Sequence, residues 1–320
     1  MAQEMGLTGN PAGARPSIAV LLCAMRGQDH LHEQLDSILA QSHPPSTLWV
    51  SDDGSDDGTL AILGDYQRRL GASRFSICRG PGKGYVANFL SIACNPQVTA
   101  DYYAFSDQDD VWEADKIASA LEWLQTIPSH VPALYCGRTR SVDASNQPIG
   151  FSPLFARQPS FANALVQSIA GGNTMVFNQA ACRLLRLAGA GAQVASHDWW
   201  MYLLVSGCGG RVYYDPRPTV RYRQHAANLI GSNSHWGARL RRMGLLFRGR
   251  FSDWNDVNLV ALEAMRAYLT PENQRRLDAF SQARRLGFFG RLAGIKRSGV
   301  YRQTLFGNIG LMAAVLCNKI

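Results

Sequence analysis

Thr47-Leu48-Trp49-Val50-Ser51-Asp52-Asp53-Gly54-Ser55-Asp56-Asp57-Gly58-Thr59 is the segment that sets the architecture of this chain. A short apolar, β-branched run passes without a break into a segment made only of Asp, Gly, Ser and Thr. The first part suits a buried strand. The second supplies a turn and a helix N-cap, because Asp, Ser and Gly satisfy the free backbone N–H groups at a helix start. A helix over residues 59–70 comes next, so the unit is strand, polar turn, helix.

The unit repeats on both sides. Ser17-Ile18-Ala19-Val20-Leu21-Leu22-Cys23 reads as a buried strand, followed by residues 29–41 with Leu31, Leu35, Ile38 and Leu39 at helical spacing. Phe75-Ser76-Ile77-Cys78 enters a glycine-rich loop, Gly80-Pro81-Gly82-Lys83-Gly84, and then a helix carrying Val86, Phe89, Leu90 and Ala93. Tyr102-Tyr103-Ala104-Phe105-Ser106 ends at Asp107-Gln108-Asp109-Asp110, with a helix expected over residues 113–125 and a fifth strand at Ala133-Leu134-Tyr135-Cys136. Short strands alternating with helices predict an α/β fold with a mostly parallel sheet flanked by helices. Every polar cluster falls at the C-terminal end of a strand, the edge where open α/β sheets bind ligands.

The later chain is less regular. Gly171-Gly172-Asn173 precedes a strand Thr174-Met175-Val176-Phe177 and a helix from Gln179; residues 196–206 read as another helix, and Tyr213-Tyr214 and Val220-Arg221-Tyr222-Arg223 as late strands. From Trp236 the pattern is helical, with fifteen Lys and Arg against five acids. The expected organisation is a loose tail over 1–16, a ligand-binding domain over 17–231 and a basic helical C-terminal region over 232–320, with the boundary near 228–236.

Composition narrows the classes. Hydrophobic residues at 46% and charged residues at 18% fit a globular protein, and a net charge of +8 favours an anionic partner. The seven cysteines are scattered without a C-x-x-C pair, against a disulfide framework or a zinc site and for a reducing compartment. The first sixteen residues lack the apolar core of a signal peptide. No apolar run reaches the roughly 18–20 residues of a membrane span. A cytoplasmic protein is expected, with membrane contact confined to its surface.

The acidic cluster carries most of the chemistry. Three aspartates in four positions repel one another unless something positive lies against them. Carboxylates at a strand end suit Mg²⁺ or Mn²⁺, and these ions in turn bridge phosphate oxygens. The competing reading is a solvated acidic turn capping a helix that begins near Trp112. Asp52 and Asp53 could receive a base N–H or a ribose hydroxyl, or could only shape their turn. The loop around Lys83 could offer backbone N–H groups to a phosphate, although it matches neither the phosphate-loop nor the dinucleotide pattern.

Taken in order, Asp52-Asp53-Gly54-Ser55-Asp56-Asp57-Gly58-Thr59, residues 83–88, Ser106-Asp107-Gln108-Asp109-Asp110-Val111-Trp112 and His197-Asp198-Trp199-Trp200 resemble the family 2 glycosyltransferases of GT-A fold. The wording SDQDDVW, GGN and HDWW is most similar to the rhamnosyltransferase-like branch. The resemblance spans residues 17–231 and is specific as a set. It implies that Ala24, Arg26, Asp52, Asp53, Lys83, Asn88, Asp107, Gly172 and Asn173 contact the nucleotide sugar. It further implies that Asp109 and His225 serve a divalent cation, Mg²⁺ or Mn²⁺, and that Asp198 is the catalytic base. Asp110 could serve either the ion or the sugar. The family's Glu-Asp pair reads His197-Asp198 here, so His197 is expected either to tune Asp198 or to be an exposed histidine without a role. His225 has a rival reading as a structural histidine.

The resemblance also implies an inverting transfer of a sugar, L-rhamnose from a dTDP donor on the branch likeness, to a saccharide or lipid-linked saccharide acceptor in cell-surface polysaccharide synthesis. One alternative is a sugar-1-phosphate nucleotidyltransferase, which would want a basic glycine-rich loop where Ala24-Met25-Arg26-Gly27-Gln28 stands. The other is a non-catalytic nucleic-acid binder, for which no zinc-finger or RNP1-like pattern is present. The C-terminal mixtures Arg239, Arg241, Arg242, Arg248 and Arg250 with Leu and Phe, and Arg284, Arg285, Phe288, Phe289, Arg291, Lys296 and Arg297, suit either an anionic membrane face or a helical subdomain with solvated arginines.

Overall fold

The computed structural model describes residues 15–224 and 250–320. His225, the boundary expected at 228–236 and the arginines from Arg239 to Arg248 lie outside the described residues.

The first half has the expected alternation: β1 (Ile18–Ala24), α1 (Leu31–Leu39), β2 (Thr47–Asp52), α2 (Thr59–Leu70), β3 (Phe75–Arg79), α3 (Tyr85–Cys94) and β4 (Tyr102–Ser106). β1 is buried along its whole length, as an unbroken apolar run with sheet on both sides and helices on both faces must be. β2 and β4 flank it in parallel, with Ala24 opposite Asp52 and Leu22 opposite Ser106. That register sets the chain after β1, the start of the Asp52 turn and the start of the Asp107 cluster side by side on one edge, neighbouring strands being about 4.8 Å apart.

Beyond β4 the sheet changes direction. β5 (Val111–Trp112), α4 (Lys116–Leu124), β6 (Ala133–Val142), β7 (Pro148–Phe151), α5 (Phe161–Ala164), β8 (Val176–Asn178), α6 (Gln179–Ala188), α7 (His197–Gly207) and β9 (Arg211–Arg223) complete the first segment. The described strands form one sheet in the order β3-β2-β1-β4-β8-β6-β9-β5, with β7 on β6. β8 runs antiparallel to both β4 and β6. The helix expected from residue 113 starts at Lys116, because Glu113 N, continuing the pairing of Val111 and Trp112 with β9, donates to the Thr219 carbonyl at 2.9 Å. The strand expected at residues 174–177 starts at Val176, after a 3-10 turn over Gly172–Thr174.

Two apolar cores cover the sheet. One joins the outer faces of β1, β2 and β4 to α1, α2 and α4 through Leu31, Leu35, Leu63, Ile117 and Leu121. The other joins the opposite face to α3, α6 and α7 and continues into α8 (Arg250–Ala264), α9 (Pro271–Arg285), α10 (Phe288–Ser298) and α11 (Leu305–Leu316) through Phe251, Leu262, Leu277, Phe280, Ile295, Leu311 and Val315. The C-terminal helices therefore share a core with α7. Asn273 Nδ2, in the first turn of α9, donates to the carbonyls of Ser206 and Gly207 at the free C-terminal end of α7. Trp199, near the start of α7, stacks on Phe251 and meets Trp254 edge-on. Among the described residues no helix is long and apolar enough to cross a membrane.

Candidate active site

Each polar cluster is held by bonds that its own sequence supplies. Asp52 is buried, and both its carboxylate oxygens accept from the Ser55 amide, at 2.9 and 3.1 Å. Asp53 accepts from Gly82 N at 2.7 Å and Gly84 N at 2.9 Å. The amides of the glycine-rich loop, expected to face a phosphate, are thus directed at Asp53, and Lys83 rides exposed between them. Gly82 and Gly84 both have positive φ, +67° and +87°, which lets two successive turns present their N–H groups to one carboxylate. Asn88, also buried, exchanges bonds with Ser51: its Oδ1 accepts from Ser51 Oγ at 2.5 Å, and its Nδ2 donates to Ser51 O at 3.0 Å. Asn88 therefore ties α3 to the end of β2.

The loop after β1 is locked to the acidic cluster by Gln108, a residue whose role the sequence pattern does not show. Gln108 accepts from Met25 N at 2.7 Å and donates to Met25 O at 2.9 Å. Gly27 lies so close to Gln108 that a Cβ there would collide with its amide. Arg26 takes the left-handed conformation, φ +51°, with its N–H donating to Ser55 Oγ and its guanidinium paired with Asp56. Ala24 is buried, so its contribution to a ligand is limited to backbone.

The four residues 107–110 divide by direction. Asp107 and Asp109 are partly exposed, whereas Asp110 is fully buried. Asp110 Oδ2 accepts from Asn173 Nδ2 at 2.5 Å, and its Oδ1 accepts from Arg223 N at 3.2 Å. Asn173, expected at the donor sugar, is itself buried and holds the acidic turn from beneath. Arg223 adds a second clamp: Nε donates to Asp109 O at 2.9 Å, Nη1 to Ala144 O at 2.7 Å, and Nη2 pairs with Glu33. Lys116, buried below the same turn, places its ammonium 3.4 Å from the centroid of the Trp112 ring. Burial pushes that amine down to about 7, while Asp110 acts in the opposite direction.

Burial, with the charges of Asp109 and Asp198 added, pushes Asp107 up to about 8. Burial first, then Asp109 and Asp107, push Asp110 well above the usual carboxylate range. Asp198, from the start of α7, thus lies near enough to Asp107 for their charges to interact. A cluster of like charges at a partly open edge fits a divalent cation arriving with an anionic ligand. Among the described residues no three His, Cys, Asp or Glu side chains converge to hold an ion unaided.

Asp198 Oδ1 is fixed by Trp199 N at 2.6 Å and by Ser196 Oγ. His197 is not exposed, contrary to one of the two readings of the sequence. It is 4% accessible, stacked on Phe89 at 3.9 Å between centroids and edge-on to Phe105 at 5.1 Å. Burial lowers it to about 4, so at neutral pH it is an uncharged ring. Its Nε2 fills the space where a side chain on Gly172 would stand, which explains a glycine there. Gly172 and His197 are thus a packed pair beneath the start of α7.

An α/β sheet with acidic clusters at the ends of β2 and β4, on the edge where β1 also ends, has the architecture of a GT-A fold. The chain belongs to glycosyl transferase family 2, whose model matches residues 19–186. It is 29% identical over 235 residues, 70% of this chain and 78% of the relative, to the dTDP-rhamnosyl transferase RfbG of Shigella flexneri. It is 28% identical over 110 residues to the putative teichuronic acid biosynthesis glycosyltransferase TuaG of Bacillus subtilis, covering 34% of this chain and 42% of that one. Among solved structures, S. aureus TarS in complex with UDP-GlcNAc superposes with a TM-score of 0.52 at 12% identity, over 88% of this chain and 89% of TarS, a likeness of fold.

Proposed function

We propose that this enzyme is an inverting transferase that moves L-rhamnose from a dTDP donor to a hydroxyl of a saccharide or lipid-linked saccharide in cell-surface polysaccharide synthesis. The observation that carries this reading is the electrostatic closeness of Asp107 to both Asp109 and Asp198, at the edge where β1, β2 and β4 end. The similarity to a dTDP-rhamnosyl transferase supports the choice of donor.

In this reading the nucleoside lies along the Asp52–Asp53 side and the diphosphate beside Asp109. Asp198 Oδ1 is already held, and among the described residues Oδ2 makes no hydrogen bond, which suits it to take the proton of the acceptor hydroxyl. The hydroxyl oxygen then bonds to the anomeric carbon as the bond from that carbon to the diphosphate oxygen breaks. A single displacement inverts the anomeric centre and needs no second, nucleophilic carboxylate, in contrast to retaining hydrolysis. A divalent cation held by Asp109 would stabilise the charge on the departing diphosphate as a Lewis acid.

A thermal-shift panel of dTDP-, UDP- and GDP-sugars with and without Mn²⁺ tests the donor. Binding to the native state alone raises its stability by mass action. The expected result is the largest rise with dTDP-L-rhamnose plus Mn²⁺. A larger rise with a UDP- or GDP-sugar would overturn the choice of donor, and no rise with any of them would overturn the nucleotide-sugar reading.

A further inference from the structure

After Asp278 the chain contains seven Lys or Arg (residues 284, 285, 291, 296, 297, 302 and 319) and no Asp or Glu. Three of these are occupied internally. Arg284 pairs with Asp256, Arg291 is buried and donates to the carbonyls of Val315 and Leu286, and the Arg302 guanidinium lies over the Phe251 ring. The remaining four, Arg285, Lys296, Arg297 and Lys319, are exposed and make no ion pair among the described residues.

The same segment turns apolar side chains outward. α11 carries no charged residue. Its inner face is Leu311, Ala314 and Val315, while Leu305, Ile309, Met312 and Leu316 are 74%, 56%, 42% and 50% exposed. The positions 305, 309, 312 and 316 recur at helical spacing and form one outward stripe. Phe306 beside it is 80% exposed. The bond from Arg291 to Val315 O brings the start of α10, with Phe289 at 82% exposure, to the C-terminal end of that stripe.

We infer that the α10–α11 face is a docking surface for an anionic lipid bilayer, on which α11 lies in the plane of the membrane. Apolar side chains enter the boundary between headgroups and acyl chains, and the four unpaired cations meet lipid phosphates. A segment with seven cations and no acid is complementary to an anionic surface and repels a second copy of itself. At twelve residues α11 is about 18 Å long, short of the roughly 30 Å hydrocarbon layer, so it lies on the bilayer and does not cross it. None of the side chains named on this face is among those placed at the candidate active site, so flotation reads its role independently of the catalytic reading.

Flotation of the full chain with vesicles of phosphatidylcholine alone, and of phosphatidylcholine mixed with phosphatidylglycerol, tests the inference. The chain should float with the anionic vesicles at least about tenfold more than with the neutral ones, and less as salt is raised. Phe289→Ser with Phe306→Ser and Ile309→Ser should abolish flotation, as should Lys296→Glu with Arg297→Glu. Both variants should keep the melting temperature and nucleotide-sugar response of the parent, because the changed side chains are exposed. Flotation indifferent to anionic lipid, or unchanged in both variants, would overturn the inference. So would a wild-type dimer in light scattering that Phe306→Ser dissociates while flotation stays absent.

Discussion

Asp198→Asn should lower kcat for release of nucleoside diphosphate from the donor by about 10²–10⁴-fold, the usual contribution of a positioned general base, while leaving nucleotide affinity nearly unchanged. The substitution keeps shape and hydrogen bonding: an amide oxygen can still accept from Ser196 Oγ and Trp199 N. What disappears is the basicity of the second oxygen. α7 is fixed independently of that carboxylate, by Asn273 at its C-terminal end and by the Trp199 ring contacts at its start, so the helix should not move. Steady-state kinetics together with calorimetric nucleotide binding read the two effects separately. Equal losses in binding and turnover would make Asp198 a ligand-holding residue, and retained turnover would place the base elsewhere.

Arg223→Leu should destabilise the fold by about 3 kcal/mol, the lower end for breaking a buried ion pair, and should weaken donor binding as well. The side chain is 1% exposed and bonds Asp109 O, Ala144 O and Glu33 together. Leucine fills the space but leaves two carbonyls without a donor. Glu33 is 45% exposed, so it can turn to water, which keeps the loss at the lower end. Because the Asp109 carbonyl loses its anchor, the turn that would carry the cation loosens along with the fold. Arg223→Lys should recover part of the stability, since a single ammonium cannot reproduce three directed contacts. Thermal denaturation with and without donor separates the two effects. A wild-type melting temperature for Arg223→Leu would show that the clamp contributes nothing.

Much of the fold is legible in the sequence because it is local. β2 to β4 are apolar runs that stop at Asp, Gly and Ser, and α2 covers residues 59–70 as its pattern predicts. Where pairing partners lie far apart in sequence, the pattern misleads. Residues from 113 look like the start of a helix, yet β9, more than a hundred residues later, pairs with Val111 and Trp112 and holds the Glu113 N–H as well. The two late strands are one, β9, because a register shift opposite Gly137 and Thr139 accommodates Pro216 and Pro218. The short α5 and β7 carry too little periodicity to be read at all.

The site shows the same division. Asp107 and Asp109 stand out because clustered acids at a strand end are conspicuous, whereas Asp198 is a lone acid that only the family resemblance singles out. The direction of Asp110 does not: an aspartate that faces inward has the same letter as one that faces a ligand, and only Asn173 and Arg223 beneath it tell them apart. Arg223 itself reads as one more basic residue on a strand. The burial of His197 depends on Phe89, Phe105 and Gly172, which come together only in three dimensions.

In the function proposed above, Asp109 holds a divalent cation shared with the donor's diphosphate. Titration calorimetry tests it most directly, adding the nucleoside diphosphate, dTDP on this account, to wild type and to Asp109→Asn with and without Mn²⁺. The predicted result is that Mn²⁺ tightens binding to wild type by about tenfold or more, about 1.4 kcal/mol, and has no such effect on Asp109→Asn. Equal Mn²⁺ enhancement in both proteins, or none in either, would contradict it.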